Sequence, residues 1–272
     1  MNAAFRGGNF PKPIVWQPPS KYLAALRYVV FGSFGVVMLV AGVVDCVHGD
    51  LLRALFLGAI GAWFVTMVLG VVLARTVYDS DDLRYAVLDS RAHALRVNYA
   101  TGVEVMVAAT LVAGVLGGTL FLIGVWSDWF ELPLSSREVR HLGIPFVAFT
   151  VVSLVQLALG VHRGRMGGLE LSPTGVRQLA AFGHADHAWE SIAAITATDP
   201  TSRKRGNAGT MFLRPHNSGE RPARLHTGGL SIGSGAAYWL VKFYFEHPEL
   251  REELADGRAE ARLRARAASN PR

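Results

Sequence analysis

The sequence predicts an α-helical membrane domain of four transmembrane helices, followed by a C-terminal α+β domain of short antiparallel strands closed by one helix. Three observations predict this fold class. The 272 residues are 51% hydrophobic with a mean hydropathy of +0.28, which is more apolar than soluble domains usually are. The apolar residues are concentrated in four long runs. Behind the last run, the pattern changes to short segments separated by turn residues.

The first 27 residues are expected to form a flexible tail ahead of the membrane domain. They contain Pro11, Pro13, Pro18 and Pro19. Proline removes a backbone donor and fixes φ, so this composition disfavours a helix. An extended segment is the expected conformation.

Four apolar runs are long enough to cross the hydrocarbon core of a bilayer. A helix rises about 1.5 Å per residue, so about 20 apolar residues cover the roughly 30 Å core. Core helices of soluble proteins rarely remain apolar on every face over such a length. The predicted spans of the membrane domain, residues 28–161, are 28–44, 54–74, 105–126 and 144–161.

The distribution of Lys and Arg predicts that both termini lie in the cytoplasm. Basic residues are more frequent before the first span and between the second and third spans than in the alternate connections. Positively charged loops resist translocation, so these segments are expected on the cytoplasmic side. Arginine accounts for 23 of the 27 basic residues, as GC-rich coding tends to produce. A bacterial cytoplasmic membrane is the predicted location.

The predicted spans contain glycines but no ionisable side chain. Ion-coupled transporters usually keep an ionisable group at membrane depth, so its absence argues against an active carrier. Gly114 and Gly118 have the four-residue spacing that lets another helix backbone approach closely. This spacing favours packing among the chain's own helices, and a seam between copies in a homo-oligomer is the alternative.

The connection between the second and third spans allows two interpretations. Residues 85–88 and 94–97 flank the polar sequence Asp89-Ser90-Arg91. This pattern is compatible with a β-hairpin and with a helix at the membrane interface. The sequence does not decide between them within the 75–104 loop.

Behind Gly168 the sequence predicts short β-strands that end in a helix. Pro173 and Gly175 favour a tight turn between the first two strands. Apolar residues recur at helical spacing from about Ser234 onward. The predicted strands are residues 169–171, 176–182, 189–198, 210–215 and 223–227.

Three sequence elements in this segment carry a family resemblance. They are Leu171-Ser172-Pro173-Thr174-Gly175-Val176, then Trp189-Glu190-Ser191-Ile192, and the closing helix that runs into Phe245-Glu246-His247-Pro248-Glu249-Leu250. Together they resemble the pleckstrin-homology-like (PH-like) domains found in bacterial membrane proteins. The resemblance covers residues 168–250.

The resemblance implies a seven-stranded fold, of which the sequence places five or six strands. Lipid-binding members of the family present Lys and Arg in the first hairpin, whereas the turn from Ser172 to Gly175 has none. The resemblance therefore implies a module that docks a protein partner or packs against one. Residues 251–272, which mix acidic and basic side chains, are expected to form a solvent-facing charged tail.

Two clusters are candidate sites for binding. His184, Asp186, His187 and Glu190 resemble a metal site, but rings at odd spacing in a strand point to opposite faces. Tetrahedral zinc needs three or four convergent ligands, so no metal site is predicted. The second cluster is a basic run that is expected to contact anionic lipid headgroups or a partner: Arg203, Lys204 and Arg205. Nucleic acid is not expected, because no aromatic residue is interleaved with the run.

The sequence contains no recognisable catalytic arrangement. A phosphate-binding glycine loop, a nucleophile elbow and paired carboxylates on one face are all missing from it. No catalytic residue and no cofactor are therefore predicted. The expected function is a non-enzymatic accessory or scaffold subunit of a membrane assembly. The alternatives are a small passive channel or transporter regulated by its cytoplasmic domain, and an unrecognised membrane enzyme.

Overall fold

The computed structural model divides the chain into two compact units. The helical unit comprises Tyr22–Val71 and Glu104–Met166, and the sheet unit comprises Met1–Lys21, Val72–Val103 and Gly167–Arg272. The residues that the structure describes are 5–6, 10, 12–13, 16, 21–79, 88–89, 93–126, 136–180, 183–198, 209–217 and 219–268.

Four long helices carry the apolar runs of the sequence. They are α1 (Lys21–Val47), α2 (Leu51–Asp79), α3 (Thr101–Trp126) and α4 (Ser136–Arg163). Each contains a segment that is long and apolar enough to cross a membrane: Ala25–Val47, Leu51–Val77, Thr101–Val125 and Gly143–Arg163. The four predicted spans correspond to four helices that are long and apolar enough to cross a membrane, which indicates a multi-pass membrane protein. Every helix is longer than its predicted span because flanking residues continue it.

Large apolar side chains are exposed along the helical unit. Val29, Val37 and Val43 of α1 are 62%, 60% and 65% exposed, and the other three helices show the same feature. Surfaces of this kind are costly in water and are stable against acyl chains. The exposed valines are therefore suited to contact with acyl chains.

Glycines allow α1 and α2 to approach each other at backbone distance. A Cβ atom built on Gly61 of α2 would lie 2.7 Å from Cγ of Leu39 and 2.8 Å from the carbonyl oxygen of Gly35. Real Cβ atoms essentially never approach other atoms below 3.0 Å. This helix contact therefore depends on a residue without a side chain at position 61.

We expect Gly61→Ala to destabilise the helical unit, and Gly58→Ala to leave its stability unchanged or slightly higher. The added methyl group would meet Leu39 at position 61, which costs about 1–3 kcal/mol as overpacking. A Cβ atom at position 58 meets nothing within 4 Å, and alanine is the better helix former. Thermal unfolding of the two purified variants in one detergent measures the difference. Equal melting temperatures would contradict the close α1–α2 contact.

Within its described residues, the sheet unit contains ten short strands, all antiparallel to their neighbours. β1 (Phe5–Arg6) pairs with β2 (Lys12–Pro13). A five-stranded sheet has the order of its sequence: β3 (Leu88–Asp89), β4 (Leu95–Asn98), β5 (Gly168–Ser172), β6 (Gly175–Ala180) and β7 (Gly183–Ala188). A three-stranded sheet has the order β10-β9-β8: β8 (Ile192–Thr196), β9 (Thr210–Pro215) and β10 (Ala223–His226). The predicted small antiparallel strands are confirmed.

Three helices follow the strands. They are α5 (Gly233–Glu246), α6 (Glu253–Asp256) and α7 (Arg258–Ala268). The inner face of α5 is fully buried and contributes Leu240, Val241 and Tyr244 to the core. The predicted closing helix is therefore present, and its 3.6-residue apolar spacing is what buries it.

The connection that the sequence left undecided contains a β-hairpin. Leu88 pairs with Val97 in this hairpin. Its second strand, β4, then pairs with β5 along its whole length, from Leu95 opposite Leu171 to Asn98 opposite Gly168. Leu95 and Val97 alternate along β4 and are both fully buried. A strand from between α2 and α3 thus becomes part of a sheet that resumes only behind α4.

The core of the sheet unit also includes side chains from the segment that was expected to be a flexible tail, residues 1–27. Phe10 is 1% exposed and Trp16 is 5% exposed. The indole nitrogen of Trp16 donates hydrogen bonds to the carbonyl oxygens of Ala197 and Thr210, at 3.1 and 3.0 Å. Prolines exclude a helix from this segment, but an extended chain can still dock through its aromatic side chains.

The core likewise extends into residues 251–272, which were expected to face solvent as a charged tail. Leu254, Ala259 and Leu263 are fully buried against the core that includes α5. Charged residues surround these three positions in the sequence and obscure their apolar spacing. The sheet unit is therefore larger than the predicted 168–250 domain at both ends.

A partly buried charge network joins α5, α6 and α7. Arg262 binds the Glu253 carboxylate through two nitrogens, Nε at 2.7 Å and Nη2 at 2.6 Å, and the Tyr244 hydroxyl donates to the same carboxylate at 3.2 Å. The hydrogen bond from Arg262 holds the pKa of Glu253 below its ordinary value, whereas burial raises the pKa of Tyr244. Both shifts keep a charged carboxylate beside a neutral phenol at neutral pH.

One side chain connects the two sheets. Gln178 of β6 donates from its amide nitrogen to the carbonyl oxygen of His226 in β10 at 2.8 Å, and its amide oxygen accepts the backbone N–H of His226 at 3.1 Å. The Gln178 side chain therefore hydrogen-bonds both backbone groups of His226 at the edge of β10, as a neighbouring strand would. Burial lowers the pKa of the His226 side chain, so this position is uncharged at neutral pH.

Candidate functional site

Four charged side chains form a row across the five-stranded sheet, which we name the charge ladder. It comprises Arg96 of β4, Glu170 of β5, Arg177 of β6 and Asp186 of β7. Each of these residues lies directly opposite the next in the register of neighbouring strands. Residues opposite each other in an antiparallel sheet share a face, so all four side chains project on the same side.

The ladder is held together by short contacts between opposite charges. Arg96 Nε lies 2.6 Å from Glu170 Oε2, and Arg177 Nη2 lies 2.6 Å from Asp186 Oδ2. Arg177 Nη1 completes the row at 4.0 Å from Glu170 Oε1. The hydrogen bond to Asp186 raises the pKa of the Arg177 guanidinium, so the arginine stays charged.

Three of the four ladder side chains are exposed to solvent, Glu170 is largely buried, and the charges alternate along the row. The side chains of Arg177 and Asp186 are 44% and 52% exposed. Exposed ion pairs contribute little to stability, typically about 0–1 kcal/mol each. Their guanidinium and carboxylate groups keep further donors and acceptors available to a bound partner. Because positive and negative groups alternate, this face does not present the uniform positive charge that an anionic membrane attracts.

The Trp-Glu-Ser-Ile element of the sequence has a structural position. Trp189 is 1% exposed, and its indole nitrogen donates to the carbonyl oxygen of Ser172 at 2.8 Å. The guanidinium of Arg251 lies over the Trp189 ring, 5.0 Å from its centroid. Trp189 therefore joins the first turn of the domain to the segment behind α5, which links the sequence elements on which the family resemblance was based.

The glycines that the sequence analysis selected face α4. A Cβ atom on Gly114 would lie 2.9 Å from a ring carbon of Phe149 and 3.0 Å from Oγ of Ser153. A Cβ atom on Gly118 would overlap the hydroxyl of Thr150. Both glycines therefore lie in a close contact between α3 and α4 of the same chain.

The predicted basic run lies outside the described residues. Arg203, Lys204 and Arg205 belong to the connection between β8 and β9, which resumes in the structure at Gly209. They stay candidates for contact with anionic headgroups or a partner. The structure places none of them relative to the charge ladder.

The histidine cluster does not converge on a common point in the part of the chain that is described. Asp186 is engaged by Arg177, and Glu190 lies 3.6 Å from Arg251. The His184 side chain is outside the described residues. Among those that are described, no group of three or more His, Cys, Asp or Glu side chains could hold a metal ion.

The charge ladder is the part of the surface that the sequence did not reveal. Arg96 and Glu170 are 74 positions apart, so no local pattern connects them. The ladder could have been predicted only if residues 94–97 had been placed as a strand beside residues 169–171. The hairpin interpretation of the 75–104 loop makes residues 94–97 a strand, but it does not say which strand lies next to them.

Comparison with known proteins identifies no relative of this chain. No protein-family model matches it, and neither a curated protein nor a solved structure is significantly similar to it. No residue role can therefore be transferred from another protein. Function has to be inferred from the fold and the surfaces of the chain itself.

Proposed function

We propose that this chain is a non-enzymatic accessory or scaffold subunit of a membrane assembly, whose four spans anchor a PH-like interaction domain on the cytoplasmic side. One observation carries the proposal. The described residues form a five-stranded and a three-stranded antiparallel sheet, and α5 follows them. Two small antiparallel sheets followed by a helix support the PH-like fold that the sequence resemblance implies, although they hold eight strands where that fold has seven. Two of the eight, β3 and β4, lie outside residues 168–250.

The way the domain is built into the chain supports an anchoring role. Chain connections between the two units occur at residues 21–22, 71–72, 103–104 and 166–167. The domain is therefore joined to the helical unit at four points of the chain. A partner bound to such a domain is kept at the membrane by several covalent links.

The charge ladder is the surface that we propose for a protein partner. Three of its four side chains, those of Arg96, Arg177 and Asp186, are exposed, and neighbouring strands hold the row in a fixed order in which it can donate and accept hydrogen bonds. A partner with acidic and basic groups at matching spacing would gain specificity from such a row.

Site-specific photocrosslinking in intact cells tests the proposal. A photoreactive amino acid replaces Arg177 on the ladder or, as the matched control, Arg264, an exposed arginine of α7 whose partner is Glu260. We expect position 177 to capture one membrane-associated protein that position 264 does not capture. Identical products from both positions, or none from either, would contradict a docking role for this face.

A passive channel or transporter is the second candidate, and a buried polar pair in α4 favours it. Gln156 and Ser153 are 6% and 2% exposed, and Oε1 of Gln156 has no hydrogen-bond partner among the described residues. A polar group at membrane depth is costly and often marks a solute path. Solute flux through liposomes holding the purified protein, abolished in Gln156→Leu, would support this candidate over the scaffold.

A further inference from the structure

A small cavity lies in the sheet unit beside the ends of β7 and β9. It has a volume of about 60 Å³, and its lining combines apolar residues such as Ile192 and Leu213 with charged and polar side chains. His187 comes from β7, Arg214 from β9, and Glu220 and Arg221 from the turn that leads into β10. The cavity is separate from the charge ladder, none of whose members lines it.

His187 contributes a polar atom without a partner. Its ring nitrogen Nε2 is buried and forms no hydrogen bond with any described residue. Leaving a buried polar atom unpaired costs about 1–3 kcal/mol, so native structures usually provide a partner for it. A group bound in this cavity would supply such a partner.

The two arginines that line the cavity are also unpaired. Arg177, Arg258 and Arg262 of the same unit each form an ion pair shorter than 3 Å. Arg214 and Arg221, in contrast, form no ion pair with any other described residue. Exposed guanidinium groups are often unpaired, but here two of them line the same cavity as an imidazole whose Nε2 has no partner among the described residues.

Glu220 supplies the one carboxylate of the lining. It repels an anion, but its single negative charge is smaller than the two positive charges of Arg214 and Arg221. Oε1 of Glu220 accepts a hydrogen bond from the Asn217 side chain at 3.2 Å. Two guanidinium charges and one imidazole therefore face one carboxylate. The local balance stays positive and favours an anionic ligand.

We propose that this cavity binds a phosphate group. Its volume exceeds the roughly 10–15 Å³ that one water occupies by the same kind of measure, and suits a small tetrahedral anion. Guanidinium groups match phosphate oxygens with paired hydrogen bonds, and the His187 nitrogen adds one more donor. The group can come from free phosphate or from the headgroup of a lipid. The proposal is independent of the scaffold function, which would stand without it.

Two binding measurements on the full-length protein in detergent test the proposal. In the first, inorganic phosphate is titrated into protein purified without phosphate, and the heat of binding is recorded. In the second, native mass spectrometry counts bound phosphatidic acid and phosphatidylcholine. The test variant is Arg214→Gln with Arg221→Gln. The control variant, Arg224→Gln with Arg264→Gln, removes the same charge from residues that do not line the cavity.

We expect saturable binding of at least one phosphate probe, weakened about tenfold or more in the test variant and less than about twofold in the control, since hydrogen bonds to charged groups are the strong ones. Glu220→Gln should tighten binding, because it removes the opposing charge. An effect confined to phosphatidic acid identifies a lipid headgroup, and one confined to inorganic phosphate identifies a free anion. No saturable binding, or equal losses in both variants, would overturn the proposal.

Discussion

The sheet unit expressed without the helical unit is expected to fold as a soluble domain, whereas a fragment that starts at Gly168 is expected to be largely unfolded. The soluble derivative joins residues 1–21, 72–103 and 167–272 through a flexible linker and a short Gly-Asn-Gly loop. It keeps β4 beside β5. The fragment loses Leu95 and Val97, whose burial is worth about 1.5–3 kcal/mol each, and leaves β5 with an open edge.

Circular dichroism and urea unfolding of the two proteins measure this difference. Single domains of this size are stable by about 5–15 kcal/mol, so the combined loss of β4 and the N-terminal aromatic residues removes most of the margin. The soluble derivative should show one cooperative transition, and the fragment should show none. A fragment that unfolds at the same urea midpoint as the derivative would mean that β4 contributes nothing to the fold.

Trp16→Ala is expected to lower the free energy of unfolding of the soluble derivative by about 3–5 kcal/mol. The substitution removes a buried ring that contacts Tyr238 edge-on, with centroids 5.4 Å apart, and two hydrogen bonds from the indole nitrogen. Trp16→Phe keeps part of the ring contact and should cost about 1–3 kcal/mol, mainly for the lost hydrogen bonds.

Chemical denaturation of the three proteins separates these contributions, with Arg264→Gln as an exposed control that should change stability by less than about 0.5 kcal/mol. Equal stability of Trp16→Ala and the unsubstituted protein would show that the docked N-terminal segment does not hold the domain together. Equal losses in Trp16→Ala and Trp16→Phe would assign the whole effect to the hydrogen bonds.

The sequence predicted best those elements in which apolar residues either fill a long segment or recur along one face of a helix. The spans are apolar on every face for about 20 residues, which no other common element requires. The closing helix repeats apolar residues at 3.6-residue spacing from Ser234, and the structure places α5 over Gly233–Glu246. The turn at Pro173 and Gly175 separates β5 from β6 as its residue types indicate.

The features that the sequence did not reveal depend on contacts between distant segments. Leu95 and Val97 alternate over only four residues, too few to fix a strand without its partner. Trp16 lies in a proline-rich segment. The prolines predict an extended backbone there, but they do not indicate whether an aromatic side chain of the segment is buried. Leu254 and Leu263 are surrounded by charges. The charge ladder follows from strand register, which is a property of the assembled sheet.

The position of β4 also has a consequence for biosynthesis. Arg96 and its strand partner Glu170 are 74 positions apart, which at about 5–20 residues per second separates their translation by roughly 4–15 seconds. During this interval the ribosome delivers α3 and α4 to the membrane, while β4 waits without its second neighbour. The pairing of β4 with β5 can therefore form only after both helices have been synthesised. In a nascent chain arrested inside α4, the edge of β4 is unpaired and accessible to chaperones and proteases.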